Sequence, residues 1–497
     1  MSTFWWAFII IFYAVAMVAI GIYTKKNAEK DYASFGLARG KFGVVAITLV
    51  TVGAWIGGGG LIELSTYCYE GGLAEYWTYA MAYLGGIPWV LLFAKRVQAM
   101  GLYTAPDLLC IRFPDYKEVI RYPSAFLYLL RNATLLAMQL NALAFLFESF
   151  FGWKHGYGVC IGAVIIIIYT AISGFMSVVL TGMIQSILQT IAPILAIILV
   201  LSAVGGWDQV EQHYLSLGTP EYASLFGGMD AVSFAKFFFT ELFTVGLFYM
   251  IGDQFDYQRI GAAKDAKTAK TSMLLGIFIA VPFLALPGMI GMAAGLYLPE
   301  GFNPSTLFYD VTQMVPAWAG VLLLLGAMST IMSATSAYLF GAAMNASHDI
   351  ILNICKSKGI EVKDSTKIWL SRLGVLIAGI IGVIFAIKVP GIISVWLTGL
   401  YICTGGLFMP FMACWFSKRM NTQGALAGVI VGTITSFCWM LAENPLGIHC
   451  IHAGIIASLI AMIIVRAVTK APDPEVVEKT YYFSDKYKSI KKQEVEE

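Results

Sequence analysis

The chain has 497 residues, of which 59% are hydrophobic and 12% charged, and its formal net charge is +2. A soluble domain carries about 25% charged residues, and a soluble core of this length could not hide so much apolar surface, whereas lipid accepts it. The near-neutral balance, with no basic aromatic-rich patch, gives no footprint for nucleic acid.

The first apolar run, 4–23, lacks a basic leader segment and a small-residue cleavage site before Lys25, so it reads as a retained spanning helix. A span needs about 20 apolar residues. Further candidates follow at 43–67, 74–94, 122–150, 157–173, 177–203, 233–252, 271–297, 317–346, 367–387, 391–416, 422–441 and 447–467. Amides cannot stay unpaired in hydrocarbon, so these segments are helices and the fold class is all-α, with about thirteen spans. Eight cysteines are scattered, mostly within the spans, with no CxxC or Cys/His spacing, and read as structural thiols.

Charge sets the expected topology. Lys25, Lys26, Lys30, Arg39 and Lys41 follow the first span, and Lys95, Arg96, Arg112, Lys117 and Arg121 follow the third. Arg259, Lys264, Lys267 and Lys270 follow the seventh, and Lys356, Lys358, Lys363 and Lys367 the ninth. Lys418 and Arg419 follow the eleventh, and Arg466 and Lys470 the thirteenth. The alternate loops 204–232 and 298–316 hold no Lys or Arg. The positive-inside rule then puts the N-terminus outside and the C-terminus inside. The tail after 468 is charged and mixed in sign, and reads as cytoplasmic without a core of its own.

Two spans carry a defect that a lipid-facing helix would not have. The first is Gly53-Ala54-Trp55-Ile56-Gly57-Gly58-Gly59-Gly60 in span two. Each glycine costs about 1 kcal/mol of helix stability relative to alanine, so four in a row favour unwinding against a cavity over plain close packing. The second is Gly246-Leu247-Phe248-Tyr249-Met250-Ile251-Gly252-Asp253-Gln254 in span seven. Paired interrupted helices in two halves point to an inverted-repeat transporter with solute and ion held at the breaks, here Gly57 and Gly58 in the first and Asp253 in the second. Span nine adds the hydroxyl run Ser329-Thr330-Ile331-Met332-Ser333-Ala334-Thr335-Ser336. Hydroxyls and freed carbonyls are hard oxygen ligands suited to Na⁺, and they equally serve interhelical hydrogen bonds.

Arg131 lies about 15 Å into span four at 1.5 Å per residue, near the centre of a core about 30 Å thick. A charge there needs a partner or a wet cavity. Three roles stay open: a fork for a substrate carboxylate, a cation in place of sodium, or an ion pair with Asp253, Glu63 or another helix carboxylate. Trp55 offers a flat apolar wall or a cation–π face, with core packing as the alternative. Arg131 and Trp55 together suit a zwitterion. Glu241 and Asp256 are further acids able to handle protons.

These motifs together resemble the solute:sodium symporter family over about 1–470. Gly53-Ala54-Trp55-Ile56-Gly57-Gly58-Gly59 resembles that family's broken first core helix, most closely in its choline-transporter branch. Asp253-Gln254-Phe255-Asp256-Tyr257-Gln258-Arg259 resembles the exit of the sixth core helix. Ile331-Met332-Ser333-Ala334-Thr335-Ser336-Ala337-Tyr338-Leu339, ending at His348-Asp349-Ile350, resembles the eighth. The resemblance implies a LeuT-type five-plus-five inverted repeat, with repeats at 43–203 and 233–416 joined by an external loop at 204–232. One extra helix precedes it within 1–42, two follow within 417–468, and 469–497 is the tail.

The resemblance also implies a Na⁺ site from the carbonyls of Gly53, Ile56 and Thr330 and the hydroxyl of Ser333. Trp77, Gln139 and Tyr249 fall on helices that line the family's cavity. The chain departs from the pattern at Ala334, where a second hydroxyl is usual, and at Gly182, where an aspartate is frequent. The function implied is a secondary active importer that couples a small polar organic solute, carboxylate or zwitterion, to Na⁺ by alternating access in a bacterial inner membrane. A single chain would suffice. A sodium-independent uniporter, exchanger or proton symporter on the same fold is the alternative that the two departures and Arg131 motivate. A membrane sensor is disfavoured by a tail without a signalling motif, and an intramembrane enzyme by the lack of an HExxH, paired-aspartate or nucleophile–base motif.

Overall fold

Hydrocarbon offers a backbone amide no partner but its own chain, and the computed structural model is accordingly built of helices. It describes residues 2–28, 31–36, 40–172, 174–242, 246, 252–298, 301–389 and 392–477. Among these, eleven helices are long and apolar enough to cross a bilayer. The expected span 157–173 is the shorter helix His155–Ile172. The expected span 233–252 begins as the helix Ala231–Glu241 and then passes largely outside the described residues.

In chain order, α1 is Thr3–Ala28. The first broken helix is α2, Val44–Gly58, a π turn at Gly59–Glu63, and α3, Leu64–Gly71. Then come α4 (Tyr76–Leu84), α5 (Gly86–Met100), α6 (Ala105–Arg112), α7 (Arg121–Phe151), α8 (His155–Ile172) and α9 (Phe175–Val204). The second half holds α10 (Ala231–Glu241), α11 (Gln254–Ala262), α12 (Ala266–Phe283), α13 (Ala285–Tyr297) and α14 (Ala317–Met344), the last continuing as a π-helix, Asn345–Leu352. The chain closes with α15 (Asp364–Lys388), α16 (Ile392–Phe416), α17 (Thr422–Leu441) and α18 (Cys450–Val468).

Burial separates centre from rim. The apolar window of Val44–Gly71 is 83% buried and that of Arg121–Phe151 78%, against 28% for Thr3–Tyr23 and 22% for Cys450–Val468. The broken helix and α7 are therefore core elements, and the first and last helices face lipid. Helix α1 shows the sorting residue by residue. Trp6, Ile10, Tyr13 and Met17 are buried, whereas Phe4, Trp5, Phe8, Ile11, Phe12 and Val15 are exposed, a stripe of helical period.

Two groups of helices meet at the centre. In one, α2 packs on α12, α3 on α13, and α5 and α11 on α12. In the other, α7 packs on α8, α14, α15 and α16. Helix α9 bridges them, touching α2, α13, α14 and α1. Lysine- and arginine-bearing loops gather at one end. There Arg121 meets Asp107 and Glu118, Lys356 meets Glu118, and Lys264 N–H donates to the Phe42 carbonyl.

Candidate functional site

The glycine run does break the helix, and at one residue. Gly57 adopts φ 51°, ψ −177°, a conformation open in practice only to glycine. The α geometry is interrupted there and the chain goes on into a π turn, a form frequent at functional sites. Freed polar groups face neighbours on other helices. Gly58 N–H donates to Gln139 Oε1 of α7 at 2.8 Å, Tyr83 hydroxyl to the Trp55 carbonyl at 2.6 Å, and Tyr338 hydroxyl to the Ala54 carbonyl at 3.3 Å.

Two buried donors at the break have no protein partner among the described residues: Gln139 Nε2 and Tyr79 hydroxyl. A methyl built on Gly57 would lie 2.9 Å from that nitrogen, and one on Gly59 would collide with that hydroxyl. Leaving such groups unpaired costs about 1–3 kcal/mol each, so a polar ligand or water is expected against them. Gln139 was expected from sequence. Tyr79 was missed in favour of its neighbour Trp77, which the structure places elsewhere. The indole of Trp77 donates to the Leu225 carbonyl at 2.9 Å and packs with Tyr76, Phe226, Phe234 and Phe238. Tyr249 lies outside the described residues.

The hard-oxygen cluster sits one turn before the break. A methyl on Gly53 would collide with Ser186 Oγ and stand 3.2 Å from Ser333 Oγ. Ser333 and Ala54 line a cavity of about 10 Å³ with Val50, Gln258 and Arg259, room for about one small ion or water. The carbonyl of Ile56 accepts the N–H of Gly59, and Thr330 Oγ1 donates to the Gly326 carbonyl. Both departures from the family pattern fall at this cluster. Ala334 faces Gly57, with 3.4 Å to a methyl built there, and a methyl on Gly182 would lie 3.7 Å from Ser333 Oγ. Ser186, one turn beyond Gly182, donates to the carbonyls of Leu49 and Gly182 at 2.7 and 2.6 Å. Sequence reading passed over this serine, whose only signal was its four-residue spacing from Gly182.

Of the three roles open to Arg131, the geometry displays the ion pair: NH2 stands 2.8 Å from Asp253 Oδ2, both side chains buried. The other Asp253 oxygen accepts the N–H groups of Phe255 and Asp256 at 2.8 and 3.2 Å, capping α11. One carboxylate thus starts α11 and neutralises the buried guanidinium, as the dipole of a helix start favours. Trp55 is held by packing and a hydrogen bond. Its ring stacks on Tyr83 at 5.0 Å, and Nε1 donates to Asp256 Oδ1 at 3.1 Å. Asp256 in turn pairs with Arg259 at 3.1 Å, so Arg131, Asp253, Asp256 and Arg259 form a neutral buried set at the start of α11.

Comparison with known proteins gives these features a common origin. The sequence profile of the sodium:solute symporter family matches residues 35–432. The osmoregulated proline transporter OpuE of Bacillus subtilis (strain 168) is 28% identical over 478 residues, covering 93% of this chain and 94% of its own. The sodium/proline symporter of Staphylococcus aureus (strain Newman) is 24% identical over 490 residues, with 94% of each chain covered. Among solved structures, a substrate-bound, outward-open Na⁺-coupled sialic acid symporter matches with TM-score 0.75 at 19% identity over 93% of this chain and 98% of its own. Mhp1 in an inward-facing conformation matches with TM-score 0.56 at 16% identity over 90% and 97%. The fold is the LeuT type, and the protein is a multi-pass transporter of the cell membrane that carries a small solute with Na⁺. The chain belongs to the sodium:solute symporter family.

Proposed function

We propose that the imported solute is a small zwitterionic amino acid, held where α2 breaks, and that Na⁺ sits one turn earlier against Gly53, Ile56, Thr330 and Ser333. The observation that carries this reading is the pair of unpartnered buried donors, Gln139 Nε2 and Tyr79 hydroxyl, facing Gly57 to Gly59. Such donors suit a carboxylate, and a helix interrupted at membrane depth presents backbone groups to a charged ligand. Two relatives bear proline in their names, which supports an amino acid over a sugar or a nucleobase. Asp253 and Arg131 hold the second broken helix in place, and Trp55 is a wall beneath the solute. Both breaks and the oxygen cluster belong to one chain, so a monomer is the working unit. The lysine-rich end is the cytoplasmic one, with the N-terminus outside and the C-terminus inside.

The test is uptake into proteoliposomes under an imposed Na⁺ gradient, with proline first in a panel of amino acids, sugar acids and quaternary amines. Na⁺-driven uptake of one or more amino acids is expected. Na⁺-driven uptake of a non-zwitterion with no amino acid transported would overturn the substrate reading while leaving the family untouched.

A further inference from the structure

The lysine-rich end carries a second constellation that the solute and ion sites do not use. It starts beside the buried ion pair, at Asn132 and Gln254, each the next residue after a member of that pair. Asn132 Nδ2 donates to Asn345 Oδ1 at 2.9 Å. Asn345 Nδ2 donates to Gln254 Oε1 at 2.8 Å and to Asp349 Oδ2 at 3.0 Å. Gln254 Nε2 donates to the Gly341 carbonyl at 3.1 Å, and its Oε1 also accepts the Ala105 N–H at 3.4 Å. Asp349 Oδ1 accepts from Thr104 hydroxyl at 2.9 Å and from Arg121 at 2.7 Å. Arg121 passes on to Asp107 at 2.7 Å, and Asp107 to His348 at 3.2 Å. His348 lines a cavity of about 680 Å³ with Tyr32, Tyr103, Lys356 and Lys367.

Three facts make this more than a buried polar cluster. First, Asn132, Gln254, Asn345, Asp349 and Thr104 are each fully buried, so every bond is made away from water, where an orphaned amide is costly. Second, the bonds tie α11 to α6, α7 and α14, which belong to other parts of the fold. Third, the hub lies at the start of the π-helical stretch Asn345–Leu352, where the register of α14 changes. The approach is close: a methyl on Gly341 would lie 2.5 Å from the Phe255 ring and 3.1 Å from Gln254 Nε2. Any movement of α11 away from α14 must therefore break these bonds.

We propose that Asn345 and Gln254 are positioning residues of a clamp that holds the lysine-rich end of the transport path shut, by fastening α11 to α6, α7 and α14. Neither touches the expected solute or ion position. They act on the equilibrium between the closed and open states of that end, and their loss shifts it toward open. The inference rests on the Na⁺-coupled transport of the family, and not on the identity of the solute.

The test reads opening at each end separately. A reporter thiol, Ala337→Cys, sits on α14 in the cavity with Ser333, Gln258 and Arg259 on the clamp side. Native Cys68 on α3, fully buried, reports the opposite side of the break. Alkylation of each is followed by peptide mass spectrometry in the purified full-length protein. Asn345→Leu and Gln254→Leu should each raise the labelling rate of the Ala337→Cys thiol about tenfold without raising that of Cys68. Because Asn345 Nδ2 bonds Gln254 directly, the two effects should not add when combined. Asn132→Ala, which removes only the outer bond to the hub, should give a smaller rise and serves if the hub variants fold poorly. Unchanged labelling of the Ala337→Cys thiol in Asn132→Ala and in whichever hub variant folds would overturn the clamp. So would a parallel rise at Cys68, which marks general loosening of the structure.

Discussion

At the scale of the residue, the two unpartnered donors and the two buried charges make opposite predictions. Tyr79→Phe removes a group that the protein itself does not satisfy, and Gln139→Leu removes one such group together with the Oε1 that accepts the Gly58 N–H. Stability should hold in Tyr79→Phe, since nothing in the protein loses its partner, while the solute's half-saturation concentration rises about tenfold or more, the worth of one charge-assisted hydrogen bond. Equilibrium binding and thermal melting of the same preparation separate the two effects. Arg131 and Asp253 behave otherwise. Removing one strands a buried charge, at a cost of about 3–5 kcal/mol, whereas replacing both leaves no charge uncompensated. Arg131→Leu with Asp253→Asn should melt higher than Arg131→Leu alone, with the asparagine still able to cap α11. A double variant no more stable than the single would show that Arg131 is not held mainly by Asp253.

Asp107 adds a pH dependence at the lysine-rich end. Burial pushes its carboxyl up, but His348 and Arg121 beside it hold it well below the usual carboxylate range. Its contribution to stability is therefore complete above the unfolded value, about 3.9, and is lost as pH falls below that toward the depressed folded value. Glu118, held down by Arg121 and Lys356 against its own burial, has the same sign. Asp107→Asn should lower the melting temperature at pH 7 and narrow the gap between variant and parent at pH 3. A gap that widens in acid would reverse the sign argued here.

At the scale of the element, the break in α2 shows what a sequence can and cannot carry. Four contiguous glycines are a local signal, and the helix does depart from α geometry among them, at Gly57. Asp253 was likewise legible as a polar group at the second break, and it caps the helix that follows. What the run could not specify is its surroundings. Tyr79, Tyr83, Gln139 and Tyr338 come from three other helices, and Ser186 reaches the oxygen cluster from α9. No periodicity within α2 encodes which side chains those are. The buried hub at Asn345 was invisible for the same reason, since two of its three partners, Asn132 and Gln254, lie on other helices. Trp77 shows the same limit from the other side. It lies two residues from Tyr79 on one helix, about 200° around it at 3.6 residues per turn, so the two face nearly opposite ways.

The same element offers two substitutions with clear signs. Gly57→Ala would force a side chain into a conformation costing about 1–3 kcal/mol and press a methyl toward Gln139 Nε2. Binding should fall in addition to stability, which parallel calorimetry and melting would reveal. Gly182→Asp is the opposite case. A methyl built there makes only ordinary contacts, with Val50 at 3.5 Å and Ser333 Oγ at 3.7 Å. The substitution sets a carboxylate beside the oxygen cluster, so the Na⁺ concentration for half-maximal uptake should fall about tenfold, or ~1.4 kcal/mol. An unchanged Na⁺ dependence in a folded variant would place the ion elsewhere.

At the scale of the whole molecule, the proposed ion and solute positions are successive turns of one helix. Gly53 and Gly57 are separated by about one turn, 5.4 Å of rise, and the break at Gly57 is bonded by side chains from the surrounding helices. An ion against Gly53 therefore orders the backbone that presents Gly57 and Gly58 to the solute, and a solute there orders the backbone whose carbonyls face the ion. Coupling of this kind is reciprocal by thermodynamic necessity. If saturating Na⁺ tightens the solute's Kd by some factor, saturating solute must tighten that of Na⁺ by the same factor. With neutral oxygens alone at the cluster, and Ala334 and Gly182 in place of a further hydroxyl and a carboxylate, Na⁺ alone should bind weakly, and much of its apparent affinity should come from the solute. Titration calorimetry in both orders measures the two factors. Equal factors of about ten or more would establish that the broken helix is the coupling element, and factors near one would separate the ion from the solute and move the coupling to another part of the fold.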